Sequence, residues 1–167
     1  DGIVLGGVAV NINADGINEI YSELDRFEKE FERVVIIYDE SPSLEDRVRD
    51  AGVLKPEMAK DLGAVGFVAR ASGQRLDCRI QSPFPPYDRI VTKMTVLNSG
   101  DVHARAWVRI EEIRDSVNLI REMLRTLPSG EVKSDFKTPA PDVSGFSVVE
   151  GWRGEIVYWV QSGPKGE

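Results

Sequence analysis

GDVHARAWVRIEEIRDSVNLIREMLRTL, from Gly100 to Leu127, is the longest clean periodic stretch of the chain, and its reading decides the fold. Trp107, Ile110, Ile113, Val117, Ile120, Leu124 and Leu127 recur at steps of three and four, which places all seven on one stripe of an α-helix. Asp101 stands just before the pattern, where a carboxylate can accept from the first free backbone N–H groups. Pro128 and Gly130 follow the last apolar residue and stop the helix. The other face carries Arg105, Arg109, Glu111, Glu112, Arg114, Asp115, Arg121, Glu122 and Arg125, so pairs such as Glu111–Arg114 and Glu122–Arg125 are available at i,i+3. Most of these charges read as a solvated face. Asp101, Arg105, Arg109 and Glu112 are candidates for something more.

A second helix runs from Asp15 to Asp39, with Ile17, Ile20, Leu24, Phe27, Phe31, Val34, Val35 and Tyr38 on its apolar face and Asn13 or Asp15 as cap. Two helices with stripes this narrow bury them most simply against each other. The mixed charges on the outer face of the second helix suit solvent or a partner surface. Between the helices, Ser41-Pro42 breaks the chain. Ser43 then caps a short helix over Leu44–Arg49, and Pro56 opens another that runs through Leu62 to Gly63. Upstream, Ile3–Ile12 reads as a strand broken by Gly6 and Gly7. No GxGxxG or GK[ST] pattern follows those glycines, so they are not a phosphate loop.

Gly63–Tyr87 has no regular period and reads as a long loop of the kind that often carries function. Arg70, Arg75, Asp77 and Arg79 lie in a mostly small and apolar setting, where an unpaired charge is costly. Asp77 is expected to pair with Arg70 or Arg79, or either arginine with Asp101. Arg89–Leu97 is rich in β-branched residues and reads as a strand. Ser129–Ser144, rich in Pro, Ser, Lys and Asp, is expected to be an exposed linker. Phe146–Val149 and Glu155–Val160 flank Glu150-Gly151-Trp152-Arg153-Gly154 and read as a β-hairpin presenting Trp152 and Arg153. The fold class is therefore α+β: a mainly helical core of two long packed helices, short strands and a C-terminal hairpin.

At 167 residues the chain is long enough for one domain with a real core. Its net charge of −7 argues against a nucleic-acid surface, so no nucleic acid is expected as a partner. No apolar run reaches the length of a membrane span, so direct membrane insertion is not expected. Cys78 is the only cysteine and His103 the only histidine, which rules out an internal disulfide and a histidine cluster and leaves no metal site. Cys78 reads as a free structural thiol and His103 as a solvated side chain. The opening DGIVLGG, without methionine, suits a cut or a processed piece.

The order of motifs resembles a known family. It runs Gly6-Gly7-Val8; Gly52-Val53-Leu54 with Glu57 and Ala59; ARASG over Ala69–Gly73; Asp77 and Arg79; and Pro86-Tyr87. Gly100-Asp101, Ala104-Arg105, Arg109, Glu112 and Ser116 follow, then Leu127-Pro128, Gly130, and Glu150 with Arg153-Gly154-Glu155. The chain looks like the large catalytic subunit of energy-converting [NiFe] hydrogenases of the formate hydrogenlyase type, and equally like the homologous quinone-side subunit of respiratory complex I, an NADH:quinone oxidoreductase. The resemblance implies that residues 1–167 are the central fragment of a longer large subunit, inactive alone. The whole would pass electrons between H2/protons, or quinone, and the iron–sulfur clusters of a small partner subunit. It would sit in a peripheral arm beside membrane subunits, on the cytoplasmic side. Hydrogenase members hold nickel and iron with two Cys-x-x-Cys pairs. This chain has neither, so no cofactor is expected on the segment itself, and a Ni–Fe centre would belong to the intact subunit. By the same resemblance Arg153 is the candidate catalytic residue, although Trp152 stands where the family motif has proline. Arg70, Asp77, Arg79, Asp101, Arg105, Arg109, Glu112 and Glu150 are expected to form a polar cluster beneath the cofactor or quinone pocket.

Overall fold

The structure, a computed structural model, describes residues 2–164. The elements are β1 (Ile3–Val4), β2 (Gly7–Val8), α1 (Ala14–Asp39), α2 (Pro42–Val48), α3 (Pro56–Asp61), α4 (Gly66–Ala71), α5 (Cys78–Gln81), α6 (Val102–Arg125), β3 (Ser144–Gly151) and β4 (Gly154–Gln161). This is the α+β arrangement expected from the periodicity.

The two long helices lie antiparallel. Near one end the Tyr21 hydroxyl donates to Arg121 O, and near the other the Tyr38 ring packs against His103 and Trp107. Between these points Arg114 grips Glu32 with two hydrogen bonds, at 2.7 and 2.6 Å, and Arg121 reaches Asp25 and Glu28. The second face of α6 takes α4. Ala71, Ala104 and Val108 form a buried cluster with Phe67 and Leu97 packed against it. Alanines at that contact let the two backbones approach closely.

The periodicity of α6 identifies a stripe, and the structure corrects which residues on the helix are buried. Ala104, Val108, Val117 and Leu119 are buried, while Ile120 and Leu127 are exposed. With α1 on one side and α4 on another, α6 is covered more broadly than a single stripe. In α1 only Val35 is buried, and Phe27, Val34 and Ile37 face outward. His103 is half-buried rather than solvated, with Nδ1 3.4 Å from the Tyr38 hydroxyl.

Four further expectations are corrected. Ile3–Ile12 is a tight hairpin of two two-residue strands, and its pairing of Ile3 with Val8 leaves Val10 and Ile12 outside. Gly63–Tyr87 is not a structureless loop, since it holds α4 and α5. Helices of six and four residues are too short to display a period. Arg89–Leu97 forms no strand because no strand pairs with it. It runs as irregular chain toward the end of α4, where Leu97 N–H donates to Arg70 O and Gly100 N–H to Ala71 O. Those are carbonyls that a helix C-terminus leaves without internal partners. The short helix after the Ser41-Pro42 break starts earlier than expected, with Ser41 as its cap and Pro42 in its first turn.

Residues 129–143 are irregular and almost wholly exposed, touching the first hairpin through Val8 N–H to Val132 O and Ser134 N–H to Gly6 O. The hairpin β3–β4 pairs in full register from Ser144↔Gln161 to Gly151↔Gly154. Along most of its length it projects from the rest of the molecule, with Phe146 and Trp159 more than half exposed. Only its turn is anchored. Gly66, at φ +63°, lies so close to the turn that a Cβ would stand 2.2 Å from the Arg153 carbonyl carbon. A Cβ on Gly154 would strike Val65 at 2.3 Å. The two glycines let α4 and the turn meet backbone to backbone, and Phe67 N–H donates to Trp152 O at 3.3 Å.

Candidate functional site

Arg70 lies at the centre of the site. It sits on α4 among alanines, 1% exposed, and the polar groups around it explain why a guanidinium tolerates that burial. Its Nε donates to Glu112 Oε1 on α6 at 2.5 Å. Its Nη1 donates to Leu76 O at 2.7 Å and to Glu150 Oε1 on β3 at 3.0 Å. The other Glu150 oxygen accepts from Cys78 N–H at the start of α5, at 3.1 Å. One arginine thus ties α4, α6 and β3 together, and through Glu150 also α5. Burial works against its charge, but the hydrogen bonds to Glu112 and Glu150 outweigh it and hold the Arg70 pKa above its ordinary value.

Glu112 shows the opposite balance. Burial raises its carboxyl above the usual glutamate range, and the Arg70 hydrogen bond offsets only part of that rise. Asp77 caps α5, its Oδ1 accepting from the Arg79 N–H at 3.0 Å, and its carboxylate is also gripped by Arg79 through Nε at 3.0 Å and Nη2 at 2.7 Å. Of the pairings open in the sequence, the structure selects Asp77 with Arg79. Arg70 goes to the two glutamates and not to Asp77 or Asp101.

Asp101 and Arg105 are not members of this cluster. Asp101 lies eleven residues before Glu112 along α6, roughly 16 Å at the helical rise. It is the buried cap of α6, accepting from Ala104 N–H at 2.7 Å, Asp50 N–H at 3.0 Å and Ser99 Oγ at 3.2 Å. Burial opposes its charge, and those hydrogen bonds, Ala104 first, hold its pKa below the usual value. Arg105 donates to Gly52 O and Gly100 O, holding the connection between α2 and α3 against α6. Both residues are structural ties at the start of the helix. Their i, i+4, i+8 and i+11 spacing with Arg109 and Glu112 suggests one patch, but α6 is long enough to serve two.

A cleft of about 220 Å³ opens over the cluster, lined by Arg70, Arg79, Arg109, Glu112, Ile113, Ser116, Glu150, Gly151 and Trp152. Trp152 stacks on Phe67 with ring centroids 5.4 Å apart and planes 7° from parallel. The Arg109 guanidinium carbon lies 4.7 Å from the Trp152 centroid and 5.5 Å from that of Phe67. Arg153 lies 4.6 Å from the same indole. Arg153, half of the expected presentation, is exposed and folded onto Trp152, which lines the cleft. Phe67 is invisible in the sequence, because a single aromatic after Gly66 in a short helix carries no spacing signal.

The donors present do not fit a nickel–iron centre. Such a site needs four thiolates, and the one thiol, Cys78, is buried and pushed up to about 11 by burial and then by Glu150, which keeps it protonated near neutral pH. No group of three His, Cys, Asp or Glu side chains able to hold a metal occurs among the described residues. What the site offers is a set of fixed cations and one carboxyl with a raised pKa around a small cleft.

Comparison with known proteins places this two-helix frame, with its arginine-centred cleft and clamped hairpin turn, in a known family. The profile of the respiratory-chain NADH dehydrogenase, 49 Kd subunit matches residues 2–150, and the chain belongs to that family. It is 35% identical over 161 residues to the carbon monoxide-induced hydrogenase of Rhodospirillum rubrum, covering 96% of this chain and 45% of that protein. It is 38% identical over 120 residues to an NADH-quinone oxidoreductase component of Dehalococcoides mccartyi, covering 70% of this chain and 32% of that protein. Among solved structures it superposes with a TM-score of 0.87 and 25% identity on a chain of the membrane-bound sulfane sulfur reductase, an archaeal respiratory membrane complex, over 97% of this chain and 46% of that one. The chain spans less than half the length of each of these relatives. No helix among the described residues is long and apolar enough to cross a membrane.

Proposed function

We propose that this chain is the central segment of a hydrogenase-like large subunit whose intact form passes electrons between H2/protons and the iron–sulfur clusters of a small partner subunit. The observation that carries the reading is the Arg70 hub. The ARASG segment, the α6 glutamate and the hairpin glutamate are far apart in sequence, and they meet on one side chain at the floor of one cleft. The match to a hydrogenase along 96% of the chain supports hydrogen chemistry for the whole. In this reading the segment binds no metal itself. It supplies the floor and one wall of a pocket that the rest of the subunit completes, with Arg153, folded on Trp152, as a cation toward a bound substrate and the Arg70 cluster as the frame beneath. The intact subunit would work in a peripheral arm on the cytoplasmic side of a membrane complex, against the iron–sulfur subunit and the membrane subunits.

A second reading, a quinone-reducing subunit of the complex I type, is favoured by the NADH-quinone oxidoreductase relatives. Reading the gene on both sides of the segment and assaying nickel on the intact product separates the two. A Cys-x-x-Cys pair on each side with nickel bound supports the hydrogenase reading. Flanks without cysteines and a nickel-free product would overturn it and leave the quinone reading or a metal-free scaffold.

A further inference from the structure

The geometry points to a binding site for a small dicarboxylate at the hairpin turn, held between Arg109 and Arg153 beside Trp152. This inference shares Arg153 and the cleft with the proposed function and adds the class of anion that its free cations would take. In a chain of net charge −7, most arginines lean on a carboxylate or a carbonyl: Arg70, Arg79, Arg114 and Arg121 on carboxylates, Arg105 on carbonyls. Arg109 and Arg153 are exposed and have no carboxylate or carbonyl partner among the described residues. Each instead lays its guanidinium on the same indole, at 4.7 and 4.6 Å from the ring centroid.

A guanidinium held over an aromatic ring by cation–π attraction still has its N–H donors available. An unpaired fork is matched by a carboxylate, which accepts two parallel hydrogen bonds. The two guanidinium carbons cannot be further apart than the sum of their distances to the shared ring centroid, so one small molecule can reach both. Trp152, half exposed, is shared by both arginines, and Ile113 lines the cleft with Arg109. Two guanidinium forks beside apolar surface suit an anion with a carboxylate at each end of a short hydrocarbon. The support is rigid. Phe67 backs the indole, and Gly66 and Gly154 lock the turn to α4. The neighbouring carboxylates Glu112 and Glu150 are already taken by Arg70, which lessens their repulsion of an incoming anion.

The test is a titration of the full, folded chain with succinate, acetate, inorganic phosphate and chloride at matched ionic strength. It follows the Nε–Hε resonances of Arg109 and Arg153 and the Trp152 indole N–H by NMR. Succinate is expected to give saturable shifts at all three groups and to bind about tenfold more tightly than acetate, the gain of one additional charge-assisted fork. Arg109→Gln and Arg153→Gln should each weaken succinate about tenfold, while Arg75→Gln, an exposed arginine elsewhere, should leave it unchanged. Arg109→Lys and Arg153→Lys keep the charge without the fork and should lose the preference for succinate over acetate. No saturable shift, equal response to chloride, phosphate binding as tight as succinate, or undiminished binding in the Gln variants with melting curves like the parent's would each overturn the assignment.

Discussion

Arg70→Met removes the charge at the centre of the site while keeping a side chain of similar reach. Glu112 and Glu150 are left as buried carboxylates without a counter-ion, and Leu76 O loses its donor. The side chains of the two glutamates are only 16% and 4% exposed, so water replaces the lost partner only in part. Removing one member of a buried ion pair costs about 3–5 kcal/mol, and here one member serves two partners, so the loss is set at about 4 kcal/mol. For a domain of this size that lowers the melting temperature by roughly 10 °C. The loss must also depend on pH. Burial already raises the Glu112 carboxyl above its ordinary value against the pull of Arg70, and without Arg70 it rises further. A carboxyl whose folded pKa exceeds its unfolded pKa binds protons more tightly when folded, so its penalty is largest at high pH and vanishes below the unfolded value. Circular-dichroism melts at pH 8 and pH 5 should therefore show the larger gap from the parent at pH 8. A loss under about 1 kcal/mol, or an equal loss at both pH values, would refute the hub and its electrostatics together.

Asp101→Ala should cost about 2 kcal/mol in urea melts, since the cap and the Asp50 N–H lose their acceptor together. Because the Asp101 pKa is held low in the fold, its contribution is present at neutral pH and should fade as the pH drops through that lowered value. Gly66→Ala places a Cβ against the Arg153 backbone at a left-handed φ and should cost roughly 2 kcal/mol, with a change in Trp152 fluorescence as the turn lifts from α4. Cys78, buried and pushed up to about 11, should resist iodoacetamide at pH 8 in the folded chain and react once urea unfolds it.

Helices and the hairpin are legible because their signals are local. The period of α6, its Asp101 cap, the run of α1 and the alternation around Glu150–Gly154 each depend on residues within one element. Arg70, Glu112 and Glu150 stand out as polar residues in apolar company, but their mutual pairing spans 80 positions and has no spacing rule. Asp101 falls outside the cluster for the reverse reason, since proximity along a helix face says nothing once the helix is several turns long. Arg89–Leu97 fails as a strand because β-branched residues fit a sheet only where a partner exists, and here the available partners are the free carbonyls at the end of α4. Gly66 hides α4 by looking like a loop glycine when its role is to admit the hairpin turn.

The hairpin joins these points into one mechanical picture. Two strands alone are marginal in water, and β3–β4 packs little along its length. What holds its turn is a short set of contacts: Glu150 on Arg70 and on Cys78 N–H, the Gly66–Gly154 approach, the Phe67 N–H to Trp152 O bond and the Phe67–Trp152 stack. All of these come from α4 and α5, the stretch between Gly63 and Tyr87 that carries no helical period. That stretch is irregular because it is shaped to receive the turn: small residues let α4 sink onto α6, a buried arginine faces the cleft, and a glycine stands where backbone meets backbone. Arg153 and the Trp152 indole that it shares with Arg109 therefore sit on a turn held in place by the Arg70 hub, so loss of Arg70 should free the turn as well as destabilise the core. Arg70→Met should accordingly blunt the succinate response of the Arg109–Arg153 pair even at temperatures where the helices remain folded, whereas Asp101→Ala, at the far end of α6, should leave that response intact.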